Sequence, residues 1–120
     1  MIDCLVVGLG GFIGSVFRYS ASKISIETNG FPIHTLGINI IGCFLIGLIV
    51  SWSAKHTQID PRLVLFFKTG VCGGFTTFST FSLESQQLIQ QGQYTMAILY
   101  ILLSVVLGIF AVFVAQWIIK

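Results

Sequence analysis

The ten residues from Gly73 to Ser82, GGFTTFSTFS, decide how this chain folds. They place five hydroxyl side chains and three phenylalanines behind a pair of glycines, in the middle of a hydrophobic segment. Gly73 and Gly74 weaken a helix, and Thr76 and Thr77 are poor helix formers. The tract therefore predicts that an otherwise helical segment breaks near residues 73–77.

The composition around this tract is that of a membrane protein. Of the 120 residues, 55% are hydrophobic and 8% are charged, whereas a soluble domain has about 25% charged residues. A helical span needs about 20 mostly apolar residues. Four segments meet this requirement, so we predict one all-α membrane domain over residues 1–120 with helices at about 2–22, 34–54, 62–88 (broken) and 94–119.

The distribution of charge says little about orientation. If the spans alternate, four basic residues lie on the N-terminal side of the membrane and two on the other: Lys55, Arg62, Lys68 and Lys120 against Arg18 and Lys23. The positive-inside rule then favours a cytoplasmic N-terminus, but only weakly. Because the bias is small, insertion in both orientations, and hence antiparallel pairing, stays open.

Glycines within the spans predict close helix packing. Gly10 and Gly14 form a GxxxG face, which allows membrane helices to approach one another closely. The same stretch does not fit a dinucleotide fingerprint, because the third glycine is replaced by Ile13 and no strand precedes it.

Polar side chains recur inside the spans, where they are expected to face protein or water. Asn39 has Thr35 one turn before it, and Tyr100 has Ser104 one turn after it. For Asn39, a helix-to-helix hydrogen bond and a donor lining a polar path are equally good interpretations. Tyr100 also fits an interfacial aromatic residue. Taken together, these stripes predict polar groups lining a shared passage.

A break in the third span has two chemical consequences. It frees backbone carbonyls, which are hard ligands suited to a small cation. Phe78 and Phe81, three residues apart, share a face, and their positive ring edges attract a small anion next to the hydroxyls of Ser79 and Thr80. The alternative is that both rings face lipid, but this explains neither the glycines nor the hydroxyls.

Charged groups are almost absent at membrane depth. Glu84 is the one carboxylate deep enough to matter, and Arg18 and Lys68 lie towards segment ends. A neutral lining rich in donors suits a weakly held anion better than a cation or a coupled proton.

Three stretches resemble the Fluc/CrcB family of fluoride channels: GGFIGSVFRY (10–19), HTLGINIIGCFLIG (34–47) and GVCGGFTTFSTFSLES (70–85). They cover three of the four spans in the family's order, and the third is highly specific. The fourth span matches more loosely, through Tyr100 and Ser104. Fluoride itself is named by the resemblance alone.

The resemblance implies an antiparallel, dual-topology homodimer in the cell (inner) membrane, which exports fluoride passively through two pathways along the subunit interface. It further implies a structural sodium ion at the dimer centre, held by the backbone carbonyls of Gly73 and Thr76 from each subunit, and a vestibule containing Arg18. In the implied fluoride pathway, the ring edges of Phe78 and Phe81 and the amide of Asn39 would contact the ion. Glu84 would lie at one mouth. The polar track along the pathway would consist of Ser79, Thr80, Tyr100 and Ser104, with Thr35 nearby.

Three other functions compete with a channel. A small dual-topology, proton-coupled drug exporter has the same size, but it needs a membrane-buried carboxylate, and the first span offers only Asp3 at its start. A scaffold subunit would need the packing motifs alone. An enzyme is the least favoured, because no catalytic or metal-ligand set lies at membrane depth, and Cys4, Cys43 and Cys72 occur singly.

Overall fold

The computed structural model describes all 120 residues, and every regular element in it is helical. Three helices are long and apolar enough to cross a membrane: α1 (Ile2–Ser22), α2 (Ile33–Lys55) and α5 (Tyr94–Ile119). The remaining hydrophobic segment is divided into α3 (residues 61–75) and α4 (Phe78–Gln90). The predicted all-α fold is confirmed, and the largest boundary difference is an end at Gln90 instead of residue 88.

Helix α3 changes its winding along its length. The Asp60 side chain accepts a hydrogen bond from the Arg62 amide at 2.9 Å, and Pro61 opens the first turn, Pro61–Val64, where a missing N–H costs nothing. The next eight residues, Leu65–Cys72, form a π-helix, and Gly73–Phe75 returns to α geometry. A π segment is rare and is often found at functional sites. Nothing in the sequence predicted it.

The break in the third span lies at Thr76 and Thr77, both of which have extended backbones (φ −85°, ψ 157° and φ −150°, ψ 119°). The predicted region, 73–77, is therefore right. The expected role of the glycines is wrong in detail, because Gly73 is helical (φ −64°, ψ −38°) and the chain leaves the helix three residues later. Hydrogen bonds from elsewhere in the fold, described below, hold the two threonines in this conformation.

Glycines allow α1 to lie directly on the backbone of α3. A Cβ atom at Gly14 would stand 2.1 Å from the Val71 carbonyl oxygen, and one at Gly10 would stand 2.5 Å from that of Phe66. From the other side, a Cβ at Gly74 would meet the Gly11 carbonyl oxygen at 2.6 Å. The GxxxG prediction for α1 is thus confirmed, and its partner is the half of the third span that precedes the break.

Helix α2 packs along α5, and α4 closes one end of this pair. A Cβ at Gly47 would lie 2.8 Å from the Ala115 Cβ, so small residues again bring two helices together. The buried core lies at the α4 end and consists of Leu36, Leu88, Ala97 and Tyr100. Only 16 of the 120 residues are buried, so most apolar side chains point outward, as expected for a chain surrounded by lipid or by a partner.

Candidate functional site

Asn39 on α2 bridges the break in the third span. Its Oδ1 accepts a hydrogen bond from the Thr77 amide at 2.9 Å, and its Nδ2 donates to the Thr77 carbonyl at 3.1 Å. The carboxamide thereby supplies both hydrogen bonds that the extended backbone cannot obtain from a helix. Of the two interpretations from the sequence, the helix-to-helix bond is confirmed, with backbone as the partner. A carboxamide nitrogen carries two N–H groups, so one donor is left for the predicted path.

Three hydroxyl side chains lie close together at the N-terminus of α4. The Thr77 hydroxyl accepts a hydrogen bond from the Thr80 amide at 3.1 Å, which makes Thr77 the N-cap of α4. It also donates to Thr80 Oγ1 at 3.1 Å and lies 3.4 Å from Ser79 Oγ. Ser79 and Thr80 are therefore side by side, as predicted. Thr77 was not among the predicted site residues, although a hydroxyl residue before a restarting helix is the usual N-cap signal.

The carbonyls next to the break differ in what they bind. The Cys72 carbonyl accepts from both the amide and the hydroxyl of Thr76, at 3.0 and 2.9 Å. The Gly74 carbonyl accepts from Arg18 Nε at 3.2 Å. By contrast, no side chain and no amide across the break donates to the carbonyls of Gly73 or Thr76. These two oxygens are the pair that the resemblance assigned to sodium.

A cavity of about 350 Å³ opens beside the break. We call it the break cavity. It contains no charged side chain, and the Ser104 hydroxyl is buried without a hydrogen-bond partner. An unpaired buried hydroxyl is costly unless something occupies the space in front of it. The cavity brings together six of the predicted residues: Asn39, Gly73, Thr76, Phe78, Phe81 and Ser104.

The two phenylalanines share a face, as predicted. Their ring centroids are 5.7 Å apart, and Phe81 also packs against Tyr100 at 5.2 Å. Phe81 is partly buried, whereas Phe78 is 75% exposed at the surface of the chain. Both line the break cavity. Their role as ring-edge contacts to an ion stays a prediction.

A second cavity, of about 460 Å³, lies on the other side of the break, and we call it the arginine cavity. Thr77 lines both cavities. The arginine cavity is the more polar, and it collects four further predicted residues, Arg18, Thr35, Thr80 and Glu84. His34 also lines it, and its Nε2 donates to the Ile24 carbonyl, which ties the α1–α2 connection to α2. The lone histidine gave no sequence signal for this contact.

Tyr100 is sealed inside the chain, at 0% exposure, and lines neither cavity. Its hydroxyl donates to Glu84 Oε1 at 3.0 Å. The alternative of an interfacial aromatic residue is therefore wrong for Tyr100. The two residues of the predicted polar stripe on α5 therefore have different surroundings. Ser104 lines the break cavity, whereas the Tyr100 hydroxyl is bound to Glu84 on α4.

The geometry also bears on the exporter alternative. Asp3, the carboxylate of α1, is exposed and forms an ion pair with Arg62 at 3.1 Å. It thus stands at the surface, paired with a cation, and α1 presents no buried carboxylate to carry protons.

Comparison with known proteins agrees with this architecture. Residues 5–116 match the family model described as CrcB-like protein, Camphor Resistance (CrcB). The chain belongs to the CrcB family. This confirms the resemblance inferred from the three motifs, and it makes the chain a multi-pass membrane protein.

Relatives in the CrcB family resemble this chain over nearly all of its length. A protein of Phocaeicola vulgatus is 47% identical in an alignment that covers 98% of each chain. Proteins of Agrobacterium fabrum and Azobacteroides pseudotrichonymphae are each 47% identical, over 94% and 89% of this chain and 92% and 87% of their own. All three carry the name fluoride-specific ion channel FluC, and none is named as a drug exporter.

Proposed function

We propose that this chain is a fluoride-selective channel that lets fluoride leave the cytoplasm passively, and that it works as an antiparallel, dual-topology homodimer in the cell membrane. Membership of the CrcB family and the name carried by its relatives support fluoride as the ion. One structural observation carries the site: Asn39 holds the third span open beside an unpartnered Ser104 hydroxyl and an exposed Phe78.

The chemistry of the break cavity suits a small anion. Fluoride holds its water tightly, so a pathway must offer donors that replace the hydration shell. The Ser104 hydroxyl and the second N–H of Asn39 are such donors, and the edges of Phe78 and Phe81 add partial positive charge. Because no lysine or arginine lines the cavity, the ion would be held weakly enough to leave.

A second copy of the chain would complete the site. Phe78 is 75% exposed although it lines the break cavity, and a partner packed over this face would enclose the ring and the cavity together. The weak charge bias allows the two copies to insert in opposite orientations. An antiparallel dimer then contains two pathways, one for each break.

The proposal includes a sodium ion held by the carbonyls of Gly73 and Thr76, and it is supported by the absence of hydrogen-bond donors to these carbonyls and by the position of both residues in the lining of the break cavity. Carbonyl oxygens are the hard ligands that such a cation prefers. When bound between two subunits, the ion would neutralise part of the carbonyl charge and join the inverted copies.

Passive exit is sufficient for protection against fluoride. Hydrogen fluoride crosses membranes as a neutral weak acid and ionises in the less acidic cytoplasm. A membrane potential that is negative inside then drives the anion outward, with about 2.3 kcal/mol per charge for each 100 mV. No coupling to protons is required.

Fluoride efflux from proteoliposomes tests the proposal. Liposomes that contain the purified protein and potassium fluoride should release fluoride when valinomycin allows potassium to leave, should retain chloride under the same conditions, and should behave alike with and without a pH gradient. Strict dependence on the pH gradient would instead indicate an exporter.

A pair of substitutions connects this transport to the site. Phe78→Ile and Phe81→Ile should each lower fluoride efflux by about tenfold or more, a change of about 1.4 kcal/mol. The matched control is Phe110→Ile on the exposed face of α5, which lines neither cavity and should retain full efflux. A scaffold without transport predicts no fluoride release from any of the four proteins.

A further inference from the structure

A further cavity lies where α2 ends and α3 begins, and no part of the proposed pathway uses it. Its volume is about 340 Å³, and we call it the Lys68 cavity. None of its residues lines the break cavity or the arginine cavity. Its lining is Ser53, His56, Thr57, Ile59, Pro61, Val64, Leu65, Lys68 and Thr69.

Three donors of this cavity have no partner within the chain, whereas Ser53 donates to the Val50 carbonyl. Lys68 forms no ion pair or hydrogen bond, and the hydroxyls of Thr57 and Thr69 form no hydrogen bond. His56 Nδ1 donates to the Trp52 carbonyl at 3.0 Å, so Nε2 of the neutral ring is an acceptor. Three potential donors, the Lys68 ammonium and the hydroxyls of Thr57 and Thr69, are thus left around one space that contains no carboxylate.

Neither Asp60 nor Asp3 lines this cavity. Asp60 accepts from the Arg62 amide at 2.9 Å, and Arg62 forms an ion pair with Asp3 at 3.1 Å. Lys55, at the end of α2, and Lys68, within α3, form no ion pair, and of the two only Lys68 lines the cavity. A cavity with this charge and these donors attracts an anion that has several oxygens.

Trp52 indicates the depth of the cavity in the membrane. It lies in the last turn of α2, is 43% exposed, and packs against the His56 ring with centroids 5.5 Å apart. Exposed tryptophans at the ends of spans sit at the level of lipid headgroups. Lys68, about two turns inside the third span, would reach the same level by extending its long side chain.

We propose that the Lys68 cavity binds the phosphate of an anionic lipid headgroup. Basic pockets between transmembrane helices are known to take such headgroups. A lipid fits better than free phosphate because Ile59, Val64 and Leu65 supply an apolar wall where the glycerol and the first part of the acyl chains would lie. The inference concerns a lipid partner, and it holds whether or not the chain conducts fluoride.

Native mass spectrometry of the full-length protein in detergent tests this site. We expect one phosphatidylglycerol per chain to be retained, and phosphatidylcholine to be lost. Lys68→Gln should weaken retention of phosphatidylglycerol by about fivefold, because one lysine near anionic lipid contributes about 1 kcal/mol. The matched control is Lys55→Gln, since Lys55 carries the same charge at the end of α2 but does not line the cavity.

The outcomes separate a built site from general surface charge. Equal losses in Lys68→Gln and Lys55→Gln, or equal retention of the two lipids by the unsubstituted protein, would overturn the proposal. Thr69→Val removes a donor with almost no change of shape and should also weaken retention, which guards against a folding defect in the lysine variant. Inorganic phosphate at millimolar concentration should not displace the lipid; if it does, the site takes free phosphate.

Discussion

Asn39 provides Thr77 with the two hydrogen bonds that an unbroken helix would have provided. Both partners are backbone groups at membrane depth, where an unsatisfied N–H or C=O is costly because no water replaces the lost bond. The carboxamide is suited to this position because it offers a donor and an acceptor side by side. The break is therefore a stable part of the fold, held from a neighbouring helix.

Asn39→Leu should destabilise the protein strongly. It leaves the amide and the carbonyl of Thr77 without partners, and each unsatisfied group costs about 1–3 kcal/mol. The measurement is the midpoint of thermal unfolding in detergent, which should fall clearly. Gln87→Leu removes an exposed amide that bonds to no other side chain and should leave the midpoint almost unchanged; similar midpoints for the two variants would contradict the role of Asn39.

Tyr100→Phe separates packing from hydrogen bonding at the most buried aromatic residue. The ring keeps its contacts with Phe31 and Phe81, while Glu84 loses its donor. We expect a loss of stability of about 1–3 kcal/mol and a change in fluoride efflux, because Glu84 is then free to turn in the arginine cavity. Tyr94→Phe, which changes an exposed tyrosine of the same helix, should alter neither; an unaffected Tyr100→Phe would show that the bond is dispensable.

At the scale of elements, the distance between α1 and α3 is set by backbone contact. Gly10 and Gly14 on α1 lie against the π segment Leu65–Cys72, next to the carbonyls of Phe66 and Val71. This packing also places Arg18 next to the Gly74 carbonyl. The position of the break relative to α1 thus depends on residues that contact no ion.

Gly14→Ala should prevent α1 from docking. The new methyl group would stand 2.1 Å from the Val71 carbonyl oxygen and 2.8 Å from the Phe75 nitrogen, and backbone atoms cannot move aside as a side chain can. Overpacking of this kind costs about 1–3 kcal/mol or more. The yield of monodisperse protein on size-exclusion chromatography should fall sharply. Gly8→Ala on the same helix meets nothing within 4 Å and should give a normal yield, so equal yields would count against the packing argument.

At the scale of the whole molecule, neither the backbone conformation nor any contact within the chain requires glycine at Gly73. Its backbone is an ordinary right-handed helix, and a Cβ there would meet nothing within 4 Å. It is exposed, it lines the break cavity, and its carbonyl accepts no hydrogen bond. A partner subunit and an ion approaching this carbonyl would explain why the position is small.

If the proposed dimer forms through this face, Gly73→Leu should leave the single chain folded but weaken dimerisation by at least about tenfold, equivalent to about 1.4 kcal/mol. Multi-angle light scattering in detergent at several protein concentrations distinguishes dimer from monomer. Gly8→Leu provides an equally exposed glycine on α1 as the control and should stay dimeric. A Gly73→Leu protein that dimerises like the control would remove this face from the proposed interface.

Much of the fold and part of the site follow from the sequence. The chain has four apolar segments of sufficient length and only 8% charged residues. In a membrane, helices satisfy the backbone hydrogen bonds of such segments. The region of the break was also predictable, because the glycines and threonines of 73–77 are locally poor helix formers. The same local chemistry placed Phe78 and Phe81 on one face, since three residues nearly complete a helical turn.

The tertiary structure decided the rest. The π segment, the exact break at Thr76 and Thr77, and the different surroundings of Tyr100 and Ser104 depend on which helices meet, and those contacts join residues far apart in the sequence. Asn39 and Thr77 are 38 positions apart, yet their two hydrogen bonds fix where the helix stops. Low helix propensity reduces the free-energy cost of a break at any of several residues. Hydrogen bonds from another helix determine at which of these residues the break occurs.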